Sequence, residues 1–86
     1  MTLSAKNLRS QLISLVARLA EGYTVKKLTL DHNLWETMNF RLIDFYSLIE
    51  ERFDLTIPNE EIDKWQTIRD VVNFLLAQVN YRQEGS

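Results

Sequence analysis

Cysteine is absent from the sequence, and that removes a disulfide framework, a thiolate zinc site and a thiol nucleophile together. Glycine occurs only twice and proline once, too rarely for collagen-like, linker-like or disordered classes. Without a glycine-rich stretch there is also no loop to cradle phosphates. His32 is the single histidine and lies in a loop; no nucleophile–base arrangement is visible around it, and a histidine metal cluster is excluded. No apolar run approaches the length of a membrane span, and "MTLSAKNLRS" lacks a signal-peptide core. These absences lead to the expectation of a soluble, cytoplasmic protein with no membrane contact, no metal and no enzymatic activity.

What is present is a chain of 86 residues, 45% hydrophobic, the size of one small domain with a modest core. We expect residues 1–86 to form a single domain, with 82–86 as a frayed tail. Charge is unevenly placed. Up to Leu30 five bases (Lys6, Arg9, Arg18, Lys26, Lys27) oppose Glu21, a net +4. From Asp31 to Asp63 nine acids oppose Arg41 and Arg52, a net −7. An acidic middle disfavours nucleic acid, whose phosphates need a basic surface. A solvated acidic face explains it plainly; a partner presenting lysine and arginine explains it more sharply.

Leu8, Leu12, Leu15, Val16 and Leu19 recur at helical spacing, predicting a helix over about 5–20 with Ser4 as N-cap and Gly22 as its stop. Residues 26–37 show no sustained period and read as a long ordered loop, with Val25, Leu28, Leu30, Leu34 and Trp35 turned partly inward. Helical spacing returns over 39–53, where Leu42, Phe45, Leu48 or Ile49, and Phe53 share a face. Asn39 is a favoured N-cap for that helix. The "DLTIP" stretch breaks it, since proline disfavours helical geometry in the residue before it. Asn59 is placed to cap a short helix, "EEIDKW". "TIRD", Thr67 to Asp70, resembles a capping box and opens a last helix to about Tyr81, with Ile68, Val72, Leu75, Leu76 and Val79 inward. Trp35 and Trp65 are both expected in the core. The fold class is all-α: a small four-helix bundle of three long helices and one short.

Three segments carry a family resemblance. "DHNLWE" (Asp31 to Glu36), "SLIEERFDLTIPNEEI" (Ser47 to Ile62) and "KWQTIRDVVNFL" (Lys64 to Leu76) are similar to corresponding parts of the acyl and peptidyl carrier protein family. The resemblance runs from about Asp31 to Leu76, and the first helix fits by length and pattern. It implies a carrier-type bundle with a long loop between helices one and two. It also implies an attachment serine at the start of the second helix, which takes a phosphopantetheine arm from coenzyme A. Counted back from Phe53, the family's aspartate-serine-leucine triplet falls on Met38, Asn39 and Phe40. All three differ, and the loop before them is about two residues short.

An asparagine amide cannot replace a hydroxyl in attacking the pyrophosphate, so Asn39 is expected to stay unmodified and no cofactor to be carried. Thr37 is two positions away and is expected outside the helix; Ser47 lies well along it. The resemblance further implies that basic partner surfaces dock on the acidic second and third helices, where Asp44, Glu50, Glu51, Glu60 and Glu61 fall. Arg41 stands where relatives often have an acid. Met38 and Phe40 either give the docking edge an apolar character or pack inward, the latter being the plainer expectation.

Three functions remain open. The first is a non-carrying, partner-binding protein, expected monomeric, in or near fatty-acid, polyketide or nonribosomal-peptide biosynthesis. The others are a genuine carrier with an unusual attachment residue and an unrelated helical interaction module. No enzyme is expected: the Glu50–Glu51 and Glu60–Glu61 pairs are adjacent on helices, so their carboxylates diverge by about 100° rather than converge.

Overall fold

The computed structural model describes the backbone of residues 5–84 and the side chains of residues 6–78. The proposed cap at Ser4 and the inward side chain of Val79 lie outside the described residues. Five α-helices follow in order: α1 (Ala5–Leu19), α2 (Leu34–Met38), α3 (Leu42–Phe53), α4 (Asn59–Lys64) and α5 (Ile68–Glu84). A 3₁₀ turn, Asn39–Arg41, joins α2 to α3. Three helices are long, as the apolar periodicity predicts, and α5 continues through Glu84 rather than stopping near Tyr81. No described helix is long and apolar enough to cross a membrane.

The core follows from the apolar stripes. Leu8, Leu12, Leu15 and Val16 of α1 are buried, as are Phe45 and Ile49 of α3 and Ile68, Val71, Val72 and Leu75 of α5. The inward position on α3 is therefore Ile49; Leu48 is exposed. Helix α1 packs on α5, and α2 and α3 pack on α1. Fully burying each such side chain contributes roughly 1.5–3 kcal/mol, which is how a short chain offsets its ordering entropy. A run of ring contacts crosses the interior: Phe45 to Tyr46 at 6.1 Å, Tyr46 to Trp65 at 5.8 Å, and Trp65 to Phe74 at 5.3 Å. Trp65 is buried as expected, and its indole N–H finds no hydrogen-bond partner.

The helix ends show local chemistry overriding some sequence expectations. After Phe53 the chain reverses through Asp54 in the left-handed region (φ 51°), a conformation aspartate tolerates better than most residues. The Glu50 carbonyl accepts from Leu55, and its carboxylate Oε2 accepts from the Ile57 amide at 2.9 Å. At α4 the N-cap is Pro58 rather than Asn59, with no side-chain cap. The Pro58 carbonyl receives the amides of Glu61 and Ile62, and extended geometry (φ −63°, ψ 145°) is what a proline ring favours.

The segment read as an unbroken loop contains α2. Five residues are too few to show a 3.6-residue period, but a capping signal is there. The Asn33 side chain accepts from the Glu36 amide at 2.9 Å, and the Thr37 hydroxyl donates to the Asn33 carbonyl at 2.6 Å. Leu28 and Leu34 are buried and Leu30 half-buried, whereas Val25 and Trp35 are exposed, contrary to expectation. His32 serves locally. Its Nδ1 accepts from the Thr29 amide at 2.9 Å, and its ring meets Tyr23 edge-on.

Helix α5 opens on the expected capping box. One Asp70 carboxylate oxygen accepts the amides of Gln66 (2.9 Å) and Thr67 (3.0 Å), while the Asp70 amide points at the Thr67 hydroxyl (3.4 Å). These bonds hold the Asp70 carboxyl below its usual range. The Gln66 amide contributes most, partial burial opposes it, and the Thr67 amide and hydroxyl add to the lowering. A carboxylate whose folded pKa is depressed stabilises the fold above its unfolded pKa, about 3.9, and loses that contribution as pH falls through the folded value. Replacing Asp70 with alanine should therefore cost about 1 kcal/mol near neutrality. The gap to the parent should narrow as pH drops below about 4, as read by urea denaturation across pH; a gap independent of pH would contradict this role.

Candidate functional site

Asn39 is not the helix N-cap its residue type suggests. It is the C-cap of α2, its own amide donating to the Trp35 carbonyl, and it takes φ 52° and ψ −127°. That combination is the first central position of a type II′ turn, a conformation dominated by glycine, asparagine and aspartate. Its carbonyl receives the Leu42 amide as the 3₁₀ turn passes into α3. Neither the turn nor α3 has a side-chain cap; Met38 and Arg41 occupy those positions. The long second helix is thus split, with α3 proper starting at Leu42.

This corner sorts its side chains sharply. Met38 is 3% exposed and sits in the core, as the plainer expectation had it, so it offers no docking edge. Phe40 goes the other way: it is 84% exposed, not packed inward. Its ring meets the half-exposed Trp35 edge to face at 5.6 Å, the arrangement the two quadrupoles favour. Ile43, three residues on, is 71% exposed.

Arg41 turns back across the corner to α1. Its Nη1 donates to the Leu19 carbonyl at 3.1 Å and its Nη2 pairs with Glu21 at 3.0 Å. The last carbonyls of a helix lack intrahelical partners, and a cation there also complements the helix dipole. Between these elements lies a cleft of ≈ 270 Å³ lined by Leu19, Glu21, Tyr23 and residues 36–41.

The hydroxyls near the corner are differently placed. Thr37 lies outside α3, within the short α2; it is 4% exposed and its hydroxyl is bonded to the Asn33 carbonyl. Ser47 is exposed midway along α3. Among the acids, Asp44, Glu51 and Glu60 are exposed. Glu50 is half-buried and holds the Ile57 amide, and Glu61 reaches Lys64 at 3.7 Å. Glu51 also lines a shallow groove between α1 and α3 with Leu15, Arg18, Leu48 and Arg52. Among the described residues no group of three or more His, Asp or Glu side chains is placed to hold a metal.

No protein-family model matches the chain. Curated relatives do. An acyl carrier protein of Kocuria rhizophila is 32% identical over 57 residues, covering 63% of this chain and 70% of that protein. The chain belongs to the acyl carrier protein family. An acyl carrier protein of Borrelia garinii subsp. bavariensis is 38% identical over 52 residues, covering 57% of this chain and 65% of its own length. One of Borreliella burgdorferi matches to the same extent. The chain thus spans just under two thirds of the length of the Borrelia relatives. Membership agrees with the all-α bundle of three long helices and sets aside the reading of an unrelated helical module.

Sequence reasoning singled out the corner but missed Trp35 as part of it. The missed signal is the Asn33-x-x-Glu36 cap, which starts a helix early enough to swing Trp35 outward. The left-handed backbone at residue 39 is itself testable. Glycine relieves the steric cost of that conformation, so Asn39→Gly should raise stability by about 0.5–1 kcal/mol, seen as a higher urea midpoint at unchanged slope. A loss of stability would show that the asparagine side chain favours the corner.

Proposed function

We propose that this member of the acyl carrier protein family is a partner-binding protein that does not carry a phosphopantetheine arm, and is not an enzyme. The observation that supports this most directly is the side chain at residue 39. Arm attachment requires a hydroxyl oxygen to attack phosphorus, with the coenzyme's nucleotide portion leaving; a carboxamide nitrogen, its lone pair delocalised into the carbonyl, is no substitute. The neighbouring hydroxyl, on Thr37, is buried and already donating.

What the fold presents is an acidic surface for recognition. Asp44, Glu51 and Glu60 present exposed carboxylates on successive helices, suited to a partner with lysine and arginine on its face. An enzyme of fatty-acid, polyketide or nonribosomal-peptide biosynthesis fits that description, and the proposal is of a cytoplasmic monomer that meets such a partner transiently.

A second reading, a genuine carrier with a displaced attachment residue, is favoured by one observation. Ser47 is exposed, although it sits within α3 rather than at a helix start. Incubation with coenzyme A and a broad-specificity phosphopantetheinyl transferase, followed by intact mass, separates the two. The parent should gain no mass, while Asn39→Ser should gain one arm. Modification of the parent would overturn the proposal, and its loss in Ser47→Ala would identify the displaced site.

A further inference from the structure

The exposed aromatic corner differs in kind from the acidic face, and it lies outside the hydrophobic core. Isolated apolar side chains on a surface are ordinary. Here two aromatic rings are in edge contact, with Ile43 one helical turn beyond Phe40. Leaving them in water forgoes burial free energy at about 25 cal/mol per Å². The backbone keeps Phe40 outside: residue 38 is in the core, residue 39 takes a left-handed conformation, and residue 40 emerges. Strained backbone of this kind gathers at functional sites. Large aromatics in such positions dominate binding energy when a partner covers them.

Charge selects the occupant. Glu36 lines the cleft beside Phe40, and Asp44 follows Phe40 by four residues, one turn along. Both are exposed, and neither forms an ion pair among the described residues. Arg41 is the one lysine or arginine between Asp31 and Glu51, and it is engaged by the Leu19 carbonyl and Glu21. A second copy docked symmetrically on this corner would set Glu36 and Asp44 against their own equivalents, with Arg41 already engaged, which disfavours symmetric self-pairing.

We propose that Trp35 and Phe40 form an aromatic anchor that seats an apolar side chain of a partner segment flanked by lysine or arginine. The proposal deepens the partner-binding reading and rests on it for the nature of the occupant. Glu36 and Asp44 would guide the segment's cations, and the two rings would close on its apolar residue.

The test uses the full chain, ¹⁵N-labelled, titrated with a short amphipathic peptide of leucine and lysine. The Trp35 indole N–H reports on the anchor, and the buried Trp65 indole serves as the internal reference. The expected result is saturable movement of the Trp35 indole and Phe40 amide signals. Binding should weaken about thirtyfold in Phe40→Ser, a loss typical of an interface hot spot. It should weaken more mildly in Glu36→Gln and be absent with a leucine–glutamate peptide. Phe40 is exposed, so the variant's circular dichroism and thermal midpoint should match the parent's, confirming that the loss is not unfolding.

Binding that shifts only signals around Glu51 and Glu60 and survives Phe40→Ser would overturn the anchor while leaving basic-partner docking in place. No binding would overturn it too. Trp35 shifts on concentrating the protein alone, with a dimer in sedimentation, would make the occupant a second copy and overturn the charge argument. The transferase experiment remains a separate readout, so failure of the non-carrying reading shows there and not here.

Discussion

The short main-chain pairing between residues 30–34 and 66–69 ties the start of α2 to the start of α5. The Leu34 amide donates to the Gln66 carbonyl at 2.8 Å, the Ile68 amide to His32 at 3.4 Å, and the Arg69 amide to Leu30 at 2.8 Å. Asn33 and Thr67 face each other as an isolated antiparallel bridge. The first amides of a helix have no partner within it. Here the loop supplies the missing acceptors for α5, and the residue before Thr67 supplies one for α2. Each segment completes the other's helix start. Arg69 adds a side-chain bond to Asp31 at 3.1 Å, solvent-exposed and so worth little energy by itself, but consistent in register.

From that clamp the corner follows. With α2 fixed at Leu34, five residues of helix bring Met38 into the core and leave Asn39 to turn the chain toward α3. The backbone meets the change of direction with a left-handed residue, and the next side chain, Phe40, faces water. Arg41 then ties the start of α3 to the end of α1. A fold whose family relatives are named as acyl carriers thus presents, at the corner the resemblance assigns to the attachment residue, an amide and an exposed aromatic pair.

Much of the fold could be read from the residues because periodic burial leaves a strong pattern. The stripes Leu8–Leu12–Leu15–Val16 and Ile68–Val72–Leu75 predict α1 and α5, and the Thr67–Asp70 box predicts where α5 begins. What could not be read was decided by contacts distant in sequence. Pairing with Gln66 and Thr67 reinforces the local Asn33 cap in starting α2 from a stretch with no period. That early helix displaces Asn39 from N-cap to C-cap and turns Trp35 outward. Phe40 looked like a leucine substitute on a continuous helix, and the break at residue 39 reverses its direction. Pro58 displaced Asn59 as the cap of α4 because an extended proline already supplies the geometry there. Local rules point to the corner; the direction of each side chain there follows from the clamp.

The most direct test is peptide mapping by mass spectrometry of the protein purified from the cells that make it. Trypsin separates the two stretches of interest, residues 28–41 with Thr37 and Asn39, and residues 42–52 with Ser47. A protein that binds partners without an arm should yield both peptides at their unmodified masses throughout the population. A phosphopantetheine increment on either peptide would contradict the account and return the chain to the carriers.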